Sequence, residues 1–159
     1  MLNKIPMTLR GYNRLKSELK KLKYNTRPFI VEAISNARQL GDLKENAEYH
    51  AAREEQSFCE NKICEIESKL LCSEMIDVTK ISFKGIVIFG STVIILQMCT
   101  NKIFIYTIVG DDEANCKECS ISIYSPMSRA LIGKKENSIV MVNTPSGSTE
   151  YLIKKIEYI

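Results

Sequence analysis

The chain has 159 residues, with 45% hydrophobic and 26% charged side chains, which is enough apolar material for one ordinary domain or two small ones and excludes a disordered tail. A net charge of +3 excludes bulk electrostatic coating of nucleic acid, and the longest apolar runs, Gly85–Gly90 and Val93–Leu96, fall far short of a membrane span. The opening Met1-Leu2-Asn3-Lys4-Ile5-Pro6 has no apolar stretch of signal-peptide type, so a soluble cytoplasmic protein is expected.

Taken in chain order, the charge is not evenly spread. Residues 1–40 carry nine basic and two acidic side chains, net +7. Residues 41–77 carry four basic and ten acidic, net −6, and residues 78–159 nine basic and seven acidic, net +2. A basic segment followed by an acidic one of similar length suits an antiparallel pair of helices. Thr8 is placed to cap the first helix. Leu15, Leu19 and Leu22 follow, and Phe29, Ala33 and Leu40 continue that register with gaps at Thr26 and Asn36. Pro28 should kink or loosen this arm around Asn25 to Arg27. The second arm alternates three and four through Tyr49, Ala52, Gln56, Cys59, Ile63, Ile66 and Leu70, which is a coiled-coil seam. Gly41 lies between the arms and can take a left-handed turn. An arm of about 30 residues would reach roughly 45 Å, too thin a hairpin to enclose a pocket.

The tip reads Gly41-Asp42-Leu43-Lys44-Glu45-Asn46-Ala47-Glu48-Tyr49-His50. Two accounts of its acids compete. In one, Asp42-x-x-Glu45 is a capping box for the second helix. In the other, two carboxylates offer oxygen ligands to a hard cation. Such a pair suits Mg²⁺ only where other ligands and a substrate phosphate complete an octahedron. The tip alone should bind the ion poorly.

Beyond Asp77 the composition turns β-rich. Strands are predicted at Gly85–Phe89, Thr92–Leu96, Lys102–Val109, Ser120–Tyr124, Ser138–Val142 and Glu150–Ile156. Asp111-Asp112-Glu113 and Thr144-Pro145-Ser146-Gly147 read as turns, and Ser125-Pro126 opens a short helix that closes at Gly133. The predicted domains are a helical hairpin over 1–77 and an α+β domain over 78–159. Of six cysteines only Cys116-x-x-Cys119 has metal-ligand spacing. Zinc would need two more ligands, and the single histidine, His50, belongs to the other half, so reduced, buried thiols are expected. Gly85-x-x-x-x-Gly90-Ser91 lacks the lysine of a phosphate loop, and His50 suits a surface or capping role.

Ile5-Pro6-Met7-Thr8 followed by Gly41-Asp42-Leu43-Lys44-Glu45-Asn46-Ala47-Glu48-Tyr49-His50-Ala51-Ala52-Arg53-Glu54 resembles the bacterial transcript cleavage factors of the GreA/GreB family. Ile76-Asp77-Val78, Phe89-Gly90-Ser91-Thr92-Val93, Val109-Gly110-Asp111-Asp112-Glu113-Ala114, Leu131-Ile132-Gly133-Lys134 and Ile156-Glu157-Tyr158-Ile159 look like its GreA branch. Cys116-Lys117-Glu118-Cys119 is not a family hallmark, and Met98–Lys102 diverges as a hairpin turn.

The resemblance implies an N-terminal antiparallel coiled coil and a C-terminal FKBP-like α+β domain. It implies a monomeric partner of bacterial RNA polymerase, not an independent enzyme. The globular domain would dock on the rim of the secondary channel, and the hairpin would carry its tip to the active site. There the factor stimulates the polymerase's own hydrolysis of backtracked RNA. The family's acidic tip residues fall on Asp42 and Glu45, which would share Mg²⁺ with the polymerase and orient the attacking water. Arg38 and Arg53 match basic positions near extruded RNA, and Lys44 adds a phosphate contact or a solvated charge. Ser125, Pro126 and Arg129 fall in the segment that resembles the docking surface, although a capped turn explains Ser125-Pro126 equally well. A prolyl isomerase is disfavoured, because the chain has no Trp to line a proline pocket. A non-cleaving channel binder or adaptor on the same scaffold is disfavoured by the presence of both Asp42 and Glu45.

Overall fold

The computed structural model describes residues 3–159, so Met1 and Leu2 of the N-terminal stretch lie outside the described residues. The chain forms two compact units, one containing Tyr12–Ser73 and the other Lys4–Gly11 with Glu74–Ile159. The architecture is α+β, a helical hairpin and a sheet domain. No helix among the described residues is long and apolar enough to cross a membrane.

The hairpin is built from α1 (Leu9–Lys21), α2 (Arg27–Arg38) and α3 (Ala47–Cys72), with one π-helical turn over Leu22–Thr26 joining α1 to α2. Pro28 explains that turn. Its ring would crowd the carbonyl four residues back, and it has no N–H to donate. The chain stays helical but widens, and Arg27 N–H reaches five residues back to Leu22 O. The extra residue shifts the apolar stripe by one position. The predicted Phe29 and Leu40 are therefore 69% and 68% exposed, while Ile30, Ile34 and Ala37 are buried. Of the register read beyond Pro28, only Ala33 still packs, partly buried, against the seam. The second arm follows its predicted seam, with Ala52, Cys59, Ile63 and Ile66 buried.

The opposite charges of the two arms meet as ion pairs. Arg27 forks onto Glu60, Nε to Oε1 at 2.7 Å and Nη2 to Oε2 at 2.9 Å. Lys23 pairs with Glu67 in the same sense, whereas Lys62 of the acidic arm pairs with Glu18 of the basic one at 2.9 Å. These pairs are partly solvated and chiefly fix register, while burial of the seam supplies most of the stability.

The sheet unit holds β1 (Ile5–Thr8) paired with β2 (Ser73–Ile76), and a five-stranded sheet of β3 (Thr92–Gln97), β4 (Lys102–Val109), β5 (Ser120–Ser122), β6 (Ile139–Thr144) and β7 (Gly147–Glu157). Its strand order is β5-β4-β3-β7-β6, antiparallel except for the β4–β5 pair. Val93, Ile95, Ile108, Val140, Ile153 and Ile156 form the core with Leu131 of helix α4 (Pro126–Leu131). Ile153 and Ile156 are three apart, which strict alternation would place on opposite faces. A bulge opposite Ile94/Ile95 restores both to the core and leaves Lys154 and Lys155 exposed.

Gly85–Phe89 is not a strand. It makes only an isolated bridge, Ile86 with Lys135, before Ser91 Oγ turns the chain by donating to Ile88 O at 2.6 Å. The expectation of buried thiols also fails. Cys59 lies in the hairpin seam, but Cys64, Cys99, Cys116 and Cys119 are exposed. Cys64 follows Ile63 round to the outer face of α3, and the other three sit in polar turns. Met98–Asn101 forms the expected hairpin turn, with Asn101 N–H on Gln97 O at 2.9 Å and Asn101 at φ +54°.

Candidate functional site: the hairpin tip

Helix α2 stops at Arg38 in a tightened last turn, with Gln39 N–H on Asn36 O at 3.2 Å and Leu40 N–H on Ala37 O at 3.1 Å. Gly41 then takes φ +131°, a positive-φ conformation that disfavours L side chains and lies wide of the expected left-handed helical turn. Asp42 does not cap the second helix. Its Oδ1 accepts the Lys44 N–H at 3.1 Å, which closes a local Asx turn.

Asn46 performs the capping. Its Oδ1 accepts the Tyr49 N–H at 3.1 Å, and its Nδ2 donates to Ala37 O at 2.6 Å. One side chain therefore satisfies the start of α3 and adds a further donor to the Ala37 carbonyl, which already accepts the Leu40 N–H, at the end of α2. His50 Nε2 lies 3.1 Å from Lys44 O. A carbonyl only accepts, so the imidazole donates from Nε2, and the ring holds the loop down. Arg38 stands over the Tyr49 ring, 5.8 Å from its centroid, and the Tyr49 and His50 rings meet edge-on at 5.7 Å.

With Asn46 in the cap, Glu45 is exposed and has no hydrogen bond or ion pair among the described residues. The tip thus brings Asp42, Lys44 and Glu45 into one eight-residue connection, residues 39–46, all three exposed. Arg38 ends α2, and Arg53, in the second turn of α3, is exposed and donates to Gln56 Oε1 at 3.2 Å. Among the described residues no cluster of three or more His, Cys, Asp or Glu could hold a metal ion. The tip's oxygens suit a hard cation, but their number requires further ligands from elsewhere.

Ser125, Pro126 and Arg129 belong to the sheet unit. Ser125 Oγ accepts the Ser128 N–H at 3.1 Å, Pro126 opens α4, and Arg129 is exposed. Sequence reasoning missed two residues of consequence. Asn46 stood directly before the helical run with the strongest class of cap side chain, but the D-x-x-E spacing upstream drew the assignment. Glu113, read as part of a turn, is a buried carboxylate only 7% exposed. It accepts the N–H groups of Thr8 at 3.1 Å and Gly110 at 3.0 Å, and the Thr8 hydroxyl. Thr8 Oγ1 in turn accepts the Gly11 N–H at 3.1 Å, the expected cap of α1.

Two family models match the chain: the transcription elongation factor N-terminal domain over residues 5–74 and the GreA/GreB C-terminal domain over residues 82–158. The chain belongs to the GreA/GreB family of transcription elongation factors. Relatives named transcription elongation factor GreA include one from Buchnera aphidicola subsp. Cinara cedri, 78% identical over 159 residues and all of both chains. Another, from Wigglesworthia glossinidia brevipalpis, is 57% identical over 158 residues, 99% of this chain and 100% of its own. Among solved structures, GreA factor homolog 1 of Thermus thermophilus is 22% identical over 97% of this chain and 99% of its own, with a TM-score of 0.43. A GreA/GreB factor from Nitrosomonas europaea is 20% identical over 98% and 100%, with a TM-score of 0.42. Membership of the GreA/GreB family makes this chain a transcription elongation factor.

Proposed function

We propose that the hairpin tip delivers Asp42 and Glu45 into the active centre of RNA polymerase through its secondary channel, where they assist hydrolysis of the 3′ end of backtracked RNA. The observation that carries this reading is the division of labour at the tip. Asn46 caps α3, so neither carboxylate is consumed by the helix terminus. Glu45 is without a partner among the described residues, and Asp42 uses one oxygen on a single local N–H.

Asp42 and Glu45 would join polymerase ligands around a shared Mg²⁺. That metal, when bound, lowers the pKa of a coordinated water and neutralises charge on the scissile phosphate. The protein's own residues supply carboxylate oxygens and hold them on a braced loop. Arg38 and Arg53 flank the loop as cations for extruded RNA, and Lys44 adds a third. Tyr49 beneath Arg38 limits where that guanidinium can go. Ser125, Pro126 and Arg129 form part of the polymerase-docking surface, acting as a stiff capped turn. The chain works as a monomeric cytoplasmic accessory factor, with the chemistry residing in the polymerase.

The test is a stalled, backtracked elongation complex with and without the protein. Shortening of the RNA in its presence, lost in Asp42→Ala and Glu45→Ala variants that still bind polymerase, is the expected result. Wild-type binding without shortened RNA would instead make the chain a non-cleaving channel binder.

A further inference from the structure

A short loop in the sheet unit carries chemistry that elongation-factor activity leaves unused. Asn115 and Ser120 form an isolated antiparallel bridge, each N–H on the other's carbonyl at 3.1 Å. Between them lies Cys116-Lys117-Glu118-Cys119 in a single 3-10 turn, closed by Cys119 N–H on Cys116 O at 3.3 Å. Cys119 follows this turn as its cap in the left-handed conformation, at φ +54°, and both cysteine side chains border the same cleft. The ends of a four-residue turn have Cα atoms less than about 7 Å apart. A disulfide spans about 4.4–6.8 Å between Cα atoms.

The loop is already ordered on both sides. Asn115 Oδ1 accepts the Lys117 N–H at 3.0 Å, and Cys119 O accepts the Thr107 N–H of β4 at 3.0 Å. Ring closure therefore has little chain freedom left to remove. Both thiols are free and exposed, and both line one cleft of about 310 Å³ with Tyr106, Ile121, Pro126 and Met127. The Tyr106 phenol is pushed up, first by burial, then by Tyr151, and then by Cys119 and Cys116. The cysteines thus sit beside the partly desolvated wall of the cleft as well as facing water.

We propose that Cys116 and Cys119 form a thiol–disulfide exchange site that reacts with a low-molecular-weight disulfide and closes to an intramolecular disulfide at the mouth of this cleft. One thiolate attacks a sulfur of the small disulfide, forming a mixed disulfide and releasing one small thiol. The second cysteine's thiolate then attacks the protein sulfur of that bond, releasing the second small thiol. The cysteine pair is oxidised by two electrons, the small disulfide is reduced to two thiols, and the two protein protons leave with them.

The test uses the full chain in buffers of graded oxidised-to-reduced glutathione ratio, quenched in acid, alkylated and read by peptide mass. Cys116 and Cys119 are expected to lose alkylation together, in molecules lighter by two hydrogens, and to recover it in excess reduced glutathione. Cys64 and Cys99, which are also exposed, serve as internal controls and should not form a ring. Cys116→Ser and, separately, Cys119→Ser should each stop at a glutathione adduct on the remaining cysteine. Alkylation of Cys116 and Cys119 matching that of Cys64 and Cys99 at every ratio would overturn the proposal. Independent glutathione adducts on both, with no ring in the wild-type chain, would overturn it equally.

Discussion

The molecule contains two similar acidic turns, a Gly-Asp-x-x-Glu segment, Gly41-Asp42-Leu43-Lys44-Glu45, at the hairpin tip and a Gly-Asp-x-Glu segment, Gly110-Asp111-Asp112-Glu113, in the sheet unit. Both glutamates follow a glycine and an aspartate in a turn. At the tip, Glu45 is exposed with no partner among the described residues. In the sheet unit, Glu113 is buried and takes donors from Thr8 and Gly110. A buried carboxylate surrounded by donors is committed to holding the fold, because every alternative leaves those donors unpaired. A solvated carboxylate braced only by its backbone remains available to a ligand. The local acidic pattern is similar, and the surrounding donors separate the two roles.

The largest effect expected from breaking this contrast is functional and confined to the tip. Glu45→Ala should lower stimulated RNA cleavage by about a hundredfold or more, the order seen when one electrostatic group is removed from an active centre. Its thermal unfolding should stay within about 1 °C of wild type, as for an exposed side chain without partners. A cleavage rate unchanged in matched elongation complexes would remove Glu45 from the site.

Glu113 should behave in the opposite way. Glu113→Ala leaves two N–H groups and the Thr8 hydroxyl without their acceptor, and should cost about 3 kcal/mol in denaturant unfolding. Gly11→Ala should cost a similar amount, about 3 kcal/mol, because a Cβ there would overlap the Glu113 carboxylate. The two changes should be non-additive, since removing the Glu113 side chain also removes the overlap. Additive losses in the double variant would show that Gly11 and Glu113 are not coupled.

A smaller effect tests the cap that frees the tip acids. Asn46→Ala should cost about 1 kcal/mol and loosen the loop, read as faster amide exchange at Tyr49. If Asp42 were the true cap, Asn46→Ala would leave Tyr49 exchange unchanged.

The smallest effect concerns a third acid, intermediate between the two extremes. Asp77 accepts the Thr79 hydroxyl at 2.6 Å and its N–H at 3.1 Å. The Thr79 hydroxyl chiefly holds its carboxyl below the usual aspartate range. A carboxyl lowered on folding contributes stability that is full above the unfolded pKa, near 4, and lost as pH falls through the folded value. Thr79→Ala should therefore raise the Asp77 titration midpoint seen by NMR and flatten the acid limb of stability.

Much of the fold was legible where a period repeats without interruption. The α3 seam from Tyr49 to Leu70 carries its burial in its spacing, and the charge split anticipated the Arg27–Glu60 and Lys23–Glu67 pairs. Legibility ended at local insertions. The π-helical turn before Pro28 adds one residue per turn and moves the α2 stripe from Phe29 and Leu40 to Ile30, Ile34 and Ala37. Gly85–Phe89 has strand composition but acquires only one bridge, because its neighbour at Lys135 supplies no strand to continue it. At the site, the positions of Asp42 and Glu45 were readable, but the identity of the helix cap was not. Asn46 and Asp42 both have cap chemistry, and the choice depends on which lies within reach of Tyr49 N–H and Ala37 O.

The amino-acid order by itself determined the two-part α+β plan, the pairing of a basic arm with an acidic one, and the presence of two acids in the connection between them. Those properties follow from composition and period along the chain, which need no knowledge of distant neighbours. Only the tertiary structure decided which glutamate is locked and which is free. Glu113 meets Thr8 from 105 positions away, and a contact at that separation leaves no periodic trace in either local segment. Only folding brings the donors to one carboxylate and leaves the other without any.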